Sequence, residues 1–178
     1  ELKTDAVIIA IGSAPAGLDL PGSDRENVME VSQVYLRAGQ IGREVVVIGG
    51  GFIGLEMAEG LTTRGIAVTQ IEALPEVLPT VDPELGALVH DELERHGVQV
   101  ITNTTVSAVA RTDAGALTVT AYCGGETLQQ TVDFVLVVVG VRPDVELAAD
   151  AGAELHTSRA SAFQAWRRAS RRGSPRTS

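Results

Sequence analysis

The sequence is poor in cysteine, in aromatic residues and in long apolar runs, and each shortage excludes a class of protein. A single cysteine, Cys123, rules out an internal disulfide or a dithiol redox pair, and we expect it to be a small buried structural residue. Aromatic residues make up only 3% of the chain, which argues against a stacking surface for single-stranded nucleic acid. The longest apolar runs, residues 6–11 and 134–139, are too short to span a bilayer. No signal peptide is visible at the start, so we expect a cytoplasmic protein without a membrane partner.

Charge is distributed unevenly along the 178 residues, whose formal net charge is −9. All 23 acidic residues lie in residues 1–154, whereas six of the 14 basic residues lie in residues 159–176. The first part therefore carries a net charge of −15 and the end of the chain one of +6. An acidic body repels phosphodiester backbones, so we expect it not to bind nucleic acid.

Residues 44–61, EVVVIGGGFIGLEMAEGL, predict a strand, a tight turn and a helix. The β-branched run before the glycines suits a strand that is buried on both faces of a parallel sheet. Gly49, Gly51 and Gly54 follow at the G-x-G-x-x-G spacing. The first glycine permits a sharp turn, the second lets a pyrophosphate approach the backbone, and the third lets helix and strand pack closely. The N–H groups at the helix start would then face the phosphates.

A second apolar strand, residues 67–71, ends at Glu72, which lies 18 residues beyond Gly54. An acid at this position can accept hydrogen bonds from the ribose hydroxyls of an adenosine, and it repels a 2′-phosphate. No Arg or Lys occurs in residues 66–94, so NADH is favoured over NADPH. The combination of strand, turn, helix and acid favours a dinucleotide site over a purely structural glycine turn.

The remaining segments predict an α/β fold: a Rossmann-like three-layer parallel sheet with an antiparallel β-meander as a crossover. We expect strands at residues 5–11, 98–101 and 134–139. We expect one helix at residues 28–38, a second from the glycine turn to about residue 64, and a third from Pro83 to His96 with Asp82 as its N-cap. The three prolines within residues 73–84 predict an irregular segment. The meander should comprise residues 105–110, 117–122 and 126–132.

The histidines of the second helix region, His90 and His96, have no acid or cysteine partner at a metal-binding spacing. We expect both to be surface or helix-end residues, and we predict no metal site. No Ser-His-Asp or Cys-His arrangement is apparent, so the chemistry must come from a bound cofactor.

Taken together, the motifs resemble the flavin-dependent pyridine nucleotide–disulfide oxidoreductases over about residues 4–155. AVIIAIGSAP resembles the strand and A-T-G turn that return the chain to the flavin domain, and LPGSD resembles the loop that follows. VVVIGGGFIGLEMAE is similar to the NADH-binding turn, and VLVVVGVRPD to the segment that closes the NADH domain. Residues 72–98 look most like the NADH oxidase and coenzyme A-disulfide reductase branch, with lipoamide dehydrogenase close behind.

The resemblance implies that hydride passes from NADH to FAD and then to a disulfide, oxygen or a similar acceptor. Phe52 would cover the flavin until nicotinamide displaces it, Glu56 would lie near the nicotinamide amide, and Gly140 would lie along the nicotinamide pocket. The alternative is that Phe52 is a core aromatic and Glu56 a solvated helix residue. The implied cofactor-binding residues are Ala10, Gly12, Gly49, Gly51, Phe52, Ile53, Gly54, Glu56, Glu72 and Gly140.

The sequence also departs from the family. Ile11 replaces the threonine of the A-T-G turn, and the flavin-binding glycine motif, the redox cysteine and the dimer domain have no counterpart. We therefore expect an incomplete FAD site, a chain that is not competent alone, and a homodimeric parent enzyme. The predicted parts are 1–42, a flavin-domain strand and connection; 43–145, the NAD(H)-binding domain; 146–155, a return segment; and 156–178, a disordered basic tail.

We interpret this tail as non-native sequence produced by a frame shift or truncation, because the resemblance stops near Leu155. Its arginines could alternatively bind nucleic acid or anionic lipid. A competing function for the whole chain is a stand-alone NAD-binding redox sensor without flavin chemistry. A dehydrogenase that uses nicotinamide without flavin is disfavoured, because no acid–base His or Tyr lies near the motifs.

Overall fold

The computed structural model describes residues 12–34, 36–37 and 39–152. The strand predicted at residues 5–11, with Ala10, and the tail predicted at residues 156–178 lie outside them. The chain divides into two compact units, one formed by Ala14–Arg142 and the other by Glu1–Ser13 together with Pro143–Ser178. In the second unit, the described residues include a short helix, and the N–H of Asp144 donates a hydrogen bond to the carbonyl oxygen of Gly12 (3.0 Å).

Ten strands and four helices make up the described elements. In chain order they are β1 (Ser13–Pro15), β2 (Val28–Glu30), α1 (Val31–Val34), β3 (Glu44–Ile48), α2 (Phe52–Thr63), β4 (Ala67–Ile71), α3 (Pro83–Arg95), β5 (Gln99–Ile101), β6 (Thr104–Arg111), β7 (Leu117–Cys123), β8 (Glu126–Val132), β9 (Phe134–Val137), β10 (Val141–Pro143) and α4 (Glu146–Asp150).

A five-stranded parallel sheet in the order β2-β9-β3-β4-β5 forms the centre of the larger unit. Strand β3 lies in its middle, and its apolar run is buried on both faces, as its lack of alternation predicts. Val45 and Val47 pack with Leu61 of α2, whereas Val46 and Ile48 pack with residues of the antiparallel sheet β6-β7-β8. Helices, parallel sheet and meander therefore form three layers, which confirms the predicted fold class.

The helix predicted at residues 28–38 is wrong at its start. Val28 and Met29 belong to strand β2, which pairs in parallel with β9, and the helix that follows is only Val31–Val34. Both side chains are buried, and the N–H of Val135 donates to the carbonyl oxygen of Asn27 (2.9 Å). The free edge of β9 needs a partner, and satisfying its backbone groups outweighs the local helical spacing. Tyr35 and Ala38, which completed that spacing, lie outside the described residues.

The expectation that Cys123 is buried is also wrong, because its side chain is exposed. Cys123 ends β7 beside the Gly124–Gly125 turn, where it pairs with Thr104 and Glu126 at the rim of the meander. The buried positions of β7 end with Ala121, so the strand has run past the core before it reaches the cysteine.

The segment from the end of β4 to the start of α3 agrees with expectation. Residues 73–82 form no regular element, and α3 begins with Asp82 at the N-cap and Pro83 at the first helical position. Across the described part of the chain, helices are too short or too polar to cross a membrane.

Asp133 fastens the amino end of β3 to that of β9. Its Oδ2 accepts hydrogen bonds from the N–H groups of Arg43 (2.7 Å) and Glu44 (3.1 Å). A Cβ at Gly42 would overlap this carboxylate, so glycine is needed for the close approach. We expect Asp133→Ala to lower the free energy of unfolding by about 1 kcal/mol, because two backbone N–H groups lose their protein acceptor and must bind water instead. Urea denaturation measures this change.

Asp133→Asn is the matched control. Its amide carbonyl oxygen can still accept a hydrogen bond, so this variant should lose less stability than Asp133→Ala. Cofactor affinity should not change in either variant, since the carboxyl ends of the strands lie at the opposite edge of the sheet. An affinity change without a stability change would contradict this assignment.

Candidate functional site

The carboxyl ends of β3, β4 and β9 meet at one edge of the parallel sheet. From β3 the chain passes to β4 and β5 on one side of the sheet, and it later returns to β9, which pairs with the other side of β3. In open α/β sheets, ligands bind at such a topological switch point. The glycine turn after β3 lies at this point.

Gly49 makes the turn possible. Its φ of +111° lies in the region that favours glycine, and an added Cβ would overlap the carbonyl oxygen of Val138, just after β9. Its N–H donates to the carbonyl oxygen of Ile71 at the end of β4 (2.8 Å). The N–H of Val138 donates to the carbonyl oxygen of Ile48 (2.8 Å), so the turn is held directly beside the segment after β9.

Gly54 and Gly51 have opposite surroundings. A Cβ at Gly54 would overlap the carbonyl oxygen of Gly49, so the absence of a side chain lets α2 pack closely on the end of β3. At Gly51, the N-cap of α2, no described atom beyond its own chain neighbours lies within 4 Å of an added Cβ. The first N–H groups of a helix have no acceptor within the helix, and glycine supplies no capping side chain. This open helix start suits an anion such as a pyrophosphate.

Glu72 is 8% exposed and binds the backbone of both the glycine turn and the loop that follows β4. Its Oε2 accepts a hydrogen bond from the N–H of Gly50 (2.6 Å), and its Oε1 accepts one from the N–H of Leu74 (2.8 Å). Sequence reasoning predicted a ribose contact for this residue and missed its backbone contacts. Each carboxylate oxygen can accept more than one hydrogen bond, so lone pairs are still available to a ribose hydroxyl.

The loop between β4 and α3 is irregular but closely held. The N–H of Leu78 donates to the carbonyl oxygen of Gly50 (2.7 Å), and Leu78 takes a positive φ of 53° to do so. Val77 is buried, and Glu76 pairs with His90 of α3 (Oε1 to Nδ1, 2.8 Å). The loop thus presents Glu72 from a fixed backbone.

The two histidines differ from each other. His96 is exposed at the C-cap of α3, as expected, and its Nε2 contacts Glu92 (3.0 Å). His90 is partly buried between Glu76 and Glu94, so it is less exposed than the expected surface position. Among the described residues, no group of three or more His, Cys, Asp or Glu could hold a metal ion.

Phe52 and Glu56 lie on the same side of α2, one turn apart. Phe52 is 62% exposed at the first helical position, so the alternative of a core aromatic is wrong. Glu56 is exposed too, which is compatible with either interpretation of that residue. Ile53, also predicted as a cofactor contact, is partly buried and packs against the helix-side core.

Gly140 follows β9 with a φ of +112°, is exposed, and accepts a hydrogen bond from the N–H of Ala16 (2.8 Å). Its position after Val138 brings it to the same edge of the sheet as Gly49. Gly12 has a φ of +92° and belongs to the other unit. Ala10 lies outside the described residues.

Sequence reasoning missed one polar residue at the turn. The side chain of Gln70 is fully buried, and its Nε2 donates to the carbonyl oxygen of Gly49 (3.0 Å). A polar residue within the apolar strand β4 was the available signal, but the G-x-G-x-x-G pattern does not include it.

Fold and site together define a Rossmann-like dinucleotide-binding domain. The sequence signature of the pyridine nucleotide-disulphide oxidoreductase family matches residues 1–170, and the chain belongs to that family.

Curated relatives and solved structures agree with this membership. The chain is 35% identical over 139 residues to a dihydrolipoyl dehydrogenase of Geobacillus stearothermophilus, covering 78% of this chain and 29% of the relative. It is 33% identical over 165 residues to an NADH oxidase of Methanocaldococcus jannaschii, covering 87% and 35%. The chain therefore spans about a third of the length of these relatives.

A water-forming NADH oxidase from Lactobacillus brevis, solved with NADH bound, matches with a TM-score of 0.66 and 28% identity over 78% of this chain and 31% of that one. Its engineered NADPH-bound variant matches with a TM-score of 0.66 and 26% identity over 79% and 31%.

Proposed function

We propose that this chain is the NADH-binding portion of a flavin-dependent oxidoreductase whose parent enzyme passes hydride from NADH to FAD and on to a disulfide, oxygen or a similar acceptor. The observation that carries the proposal is the glycine turn at the switch point of the sheet, open at Gly51 and backed by the buried carboxylate of Glu72. Bound NADH would supply the hydride. The residues of this chain bind and orient the dinucleotide.

The fit of the site to a dinucleotide rests on space and on donors. The missing Cβ of Gly51 leaves room for the pyrophosphate, and the start of α2 supplies N–H donors and the positive end of its dipole. Glu72 would accept hydrogen bonds from the adenosine ribose. Gly140, beside the turn, would line the nicotinamide pocket.

Phe52 supports a flavoprotein over a stand-alone sensor. The side chain of Phe52 is 62% exposed beside the glycine turn, and covering it with another apolar group would be favourable because apolar surface would leave water. We assign it as the aromatic that lies between flavin and nicotinamide, with Glu56 near the nicotinamide amide. The turn assigned to the flavin side lies mostly outside the described residues, which include only its Gly12. We therefore propose FAD binding for the parent enzyme. Coding sequence upstream with a flavin-binding glycine motif and a cysteine would support it, and a true start near Glu1 would favour the sensor.

The preference for NADH has support from the engineered relative. The NADPH-bound oxidase carries five substitutions: Gly to Ala, Asp to Ala, Ala to Arg, Met to Ser, and Pro to Arg. The spacing of those five positions equals the spacing of Gly54, Glu72, Ala73, Leu74 and Pro79 in this chain. An acid at the position of Glu72 is thus removed, and two arginines are added, where a 2′-phosphate is to be bound.

Titration of the chain with NADH and NADPH tests the proposal. We expect NADH to bind at least about tenfold more tightly, which corresponds to about 1.4 kcal/mol. Glu72→Ala should weaken NADH selectively and reduce this ratio. Because Glu72 also holds the N–H groups of Gly50 and Leu74, the same variant should lower the melting temperature.

A second variant separates charge from stability. Ala73→Arg with Pro79→Arg keeps Glu72 and its hydrogen bonds, and should strengthen NADPH binding without a loss of stability. Glu126→Ala, in the meander, is the control for a lost negative charge and should change neither affinity. Equal affinities of the unmodified chain for both dinucleotides would refute the role of Glu72, and binding of neither would refute the site.

A further inference from the structure

Gln70 is a buried polar residue that neither the glycine motif nor the ribose acid accounts for. It lies in β4 between Val47 of β3 and Val100 of β5, and its side chain is 0% exposed. Alternation along β4 places it on the same face as Val68, which packs in the helix-side core. An amide in this apolar layer is therefore an exception to the composition around it.

The burial of this amide is costly. Its Oε1 has no hydrogen-bond partner among the described residues. A buried polar atom without a partner loses its hydration without compensation. Leucine or methionine would fill a similar volume without that cost. A local departure of this kind is expected where function requires it.

The other end of the amide contacts the turn. Nε2 donates to the carbonyl oxygen of Gly49 (3.0 Å), while the N–H of Gly49 donates to the carbonyl oxygen of Ile71 (2.8 Å). β4 thus binds both the N–H and the carbonyl oxygen of Gly49, the residue that starts the turn. The same Nε2 lies 3.0 Å from the position of a Cβ on Gly54, where α2 packs closely on the turn.

We propose that Gln70 is a positioning residue for the dinucleotide. By fixing the Gly49 peptide and filling the space beneath Gly54, it sets the direction of the turn and the depth at which the start of α2 lies. These two quantities determine how the N–H groups reach a pyrophosphate. The inference rests on the proposed function and names a residue outside the motif on which that function depends.

Gln70→Leu tests it, with ADP-ribose as a probe that carries the pyrophosphate and adenosine as one that lacks it. The variant removes the unpartnered oxygen but also the partner of the Gly49 carbonyl, so the two effects on stability oppose each other. We expect a melting temperature within about 3 °C of the unmodified chain. The Kd of ADP-ribose should rise about tenfold, while that of adenosine stays the same. Gln70→Met repeats the test with an unbranched side chain if the leucine variant folds poorly.

Thr69→Val is the matched control, because Thr69 is the neighbouring buried polar residue of β4 on the opposite face. Its hydroxyl contacts Gln99 (3.3 Å) and Gln130 (2.7 Å), not the turn. This variant should leave ADP-ribose affinity unchanged whatever it does to stability.

Three results would overturn the inference. Unchanged ADP-ribose affinity in both Gln70 variants would remove the positioning role while leaving the proposed function intact. A parallel loss of affinity for adenosine and ADP-ribose, together with a lowered melting temperature, would make Gln70 merely structural. Failure of the unmodified chain to bind ADP-ribose would refute the proposed function itself, and this inference with it.

Discussion

Gly49→Ala is expected to lower the free energy of unfolding by about 4 kcal/mol, which combines backbone strain with overpacking. The φ of +111° is a conformation that L side chains rarely adopt, and the added Cβ would overlap the carbonyl oxygen of Val138. That carbonyl follows directly on β9, which is paired along β3, so it cannot move without disturbing the central strands. Domains are typically stable by about 5–15 kcal/mol, so much of the margin would be lost. Urea denaturation with comparison of midpoints and slopes measures the loss.

Gly60→Ala is the control for this experiment. Gly60 lies within α2, has no positive φ, and no described atom outside the adjacent backbone of its own helix lies within 4 Å of an added Cβ. Alanine there should stabilise the chain by about 0.5–1 kcal/mol, because glycine is the poorer helix former. A Gly49→Ala variant as stable as the unmodified chain would mean that the turn is not held tightly against the segment after β9.

Gly51→Ala should have the opposite profile, with binding lost and stability kept. Its φ of −78° is accessible to alanine, and space is open around an added Cβ. On the proposed function, that space is where the pyrophosphate approaches the backbone, so the methyl group would collide with the ligand. A collision costing about 1–3 kcal/mol corresponds to a loss of NADH affinity of about 5- to 150-fold. Isothermal titration measures the affinity, and thermal unfolding checks the fold.

The variants of Gly49 and Gly51 separate the contribution of the glycine motif to folding from its contribution to ligand binding. Should Gly51→Ala bind NADH as tightly as the unmodified chain, the pyrophosphate would have to lie elsewhere. Gly60→Ala again supplies the comparison, as a glycine of the same helix that should retain full affinity.

The arrangement of the candidate site could largely be predicted from the sequence because its segments are contiguous. The β-branched run of β3, the glycines and the start of α2 lie within one short segment, and β4 with Glu72 follows after a single helix. Glycine spacing and apolar periodicity reflect local steric rules, which act whatever the rest of the chain does. The limits of β4 were predicted to the residue for this reason.

The predictions that were wrong depend on residues that are far apart in the chain. Strand β2 depends on pairing with β9, whose residues lie about a hundred positions further along the chain, as the 106-residue separation of Asn27 and Asp133 illustrates. Local helical spacing could not reveal that partner. The exposure of Cys123 depends on where the meander passes the edge of its core, and the partial burial of His90 depends on the loop that brings Glu76 to it.

The sequence by itself determined the three-layer class, the position of the glycine turn and the acid after β4, since each follows from neighbouring residues and their steric limits. Only the tertiary structure decided that Glu72 and Gln70 both bind the backbone of that turn. Those contacts depend on the registration of β4 against β3, in which Gln70 stands opposite Val47 and Ile71 opposite Ile48. Which residues stand opposite each other depends on how both strands pack and on the connection between them, so the residues of β4 alone do not specify the register.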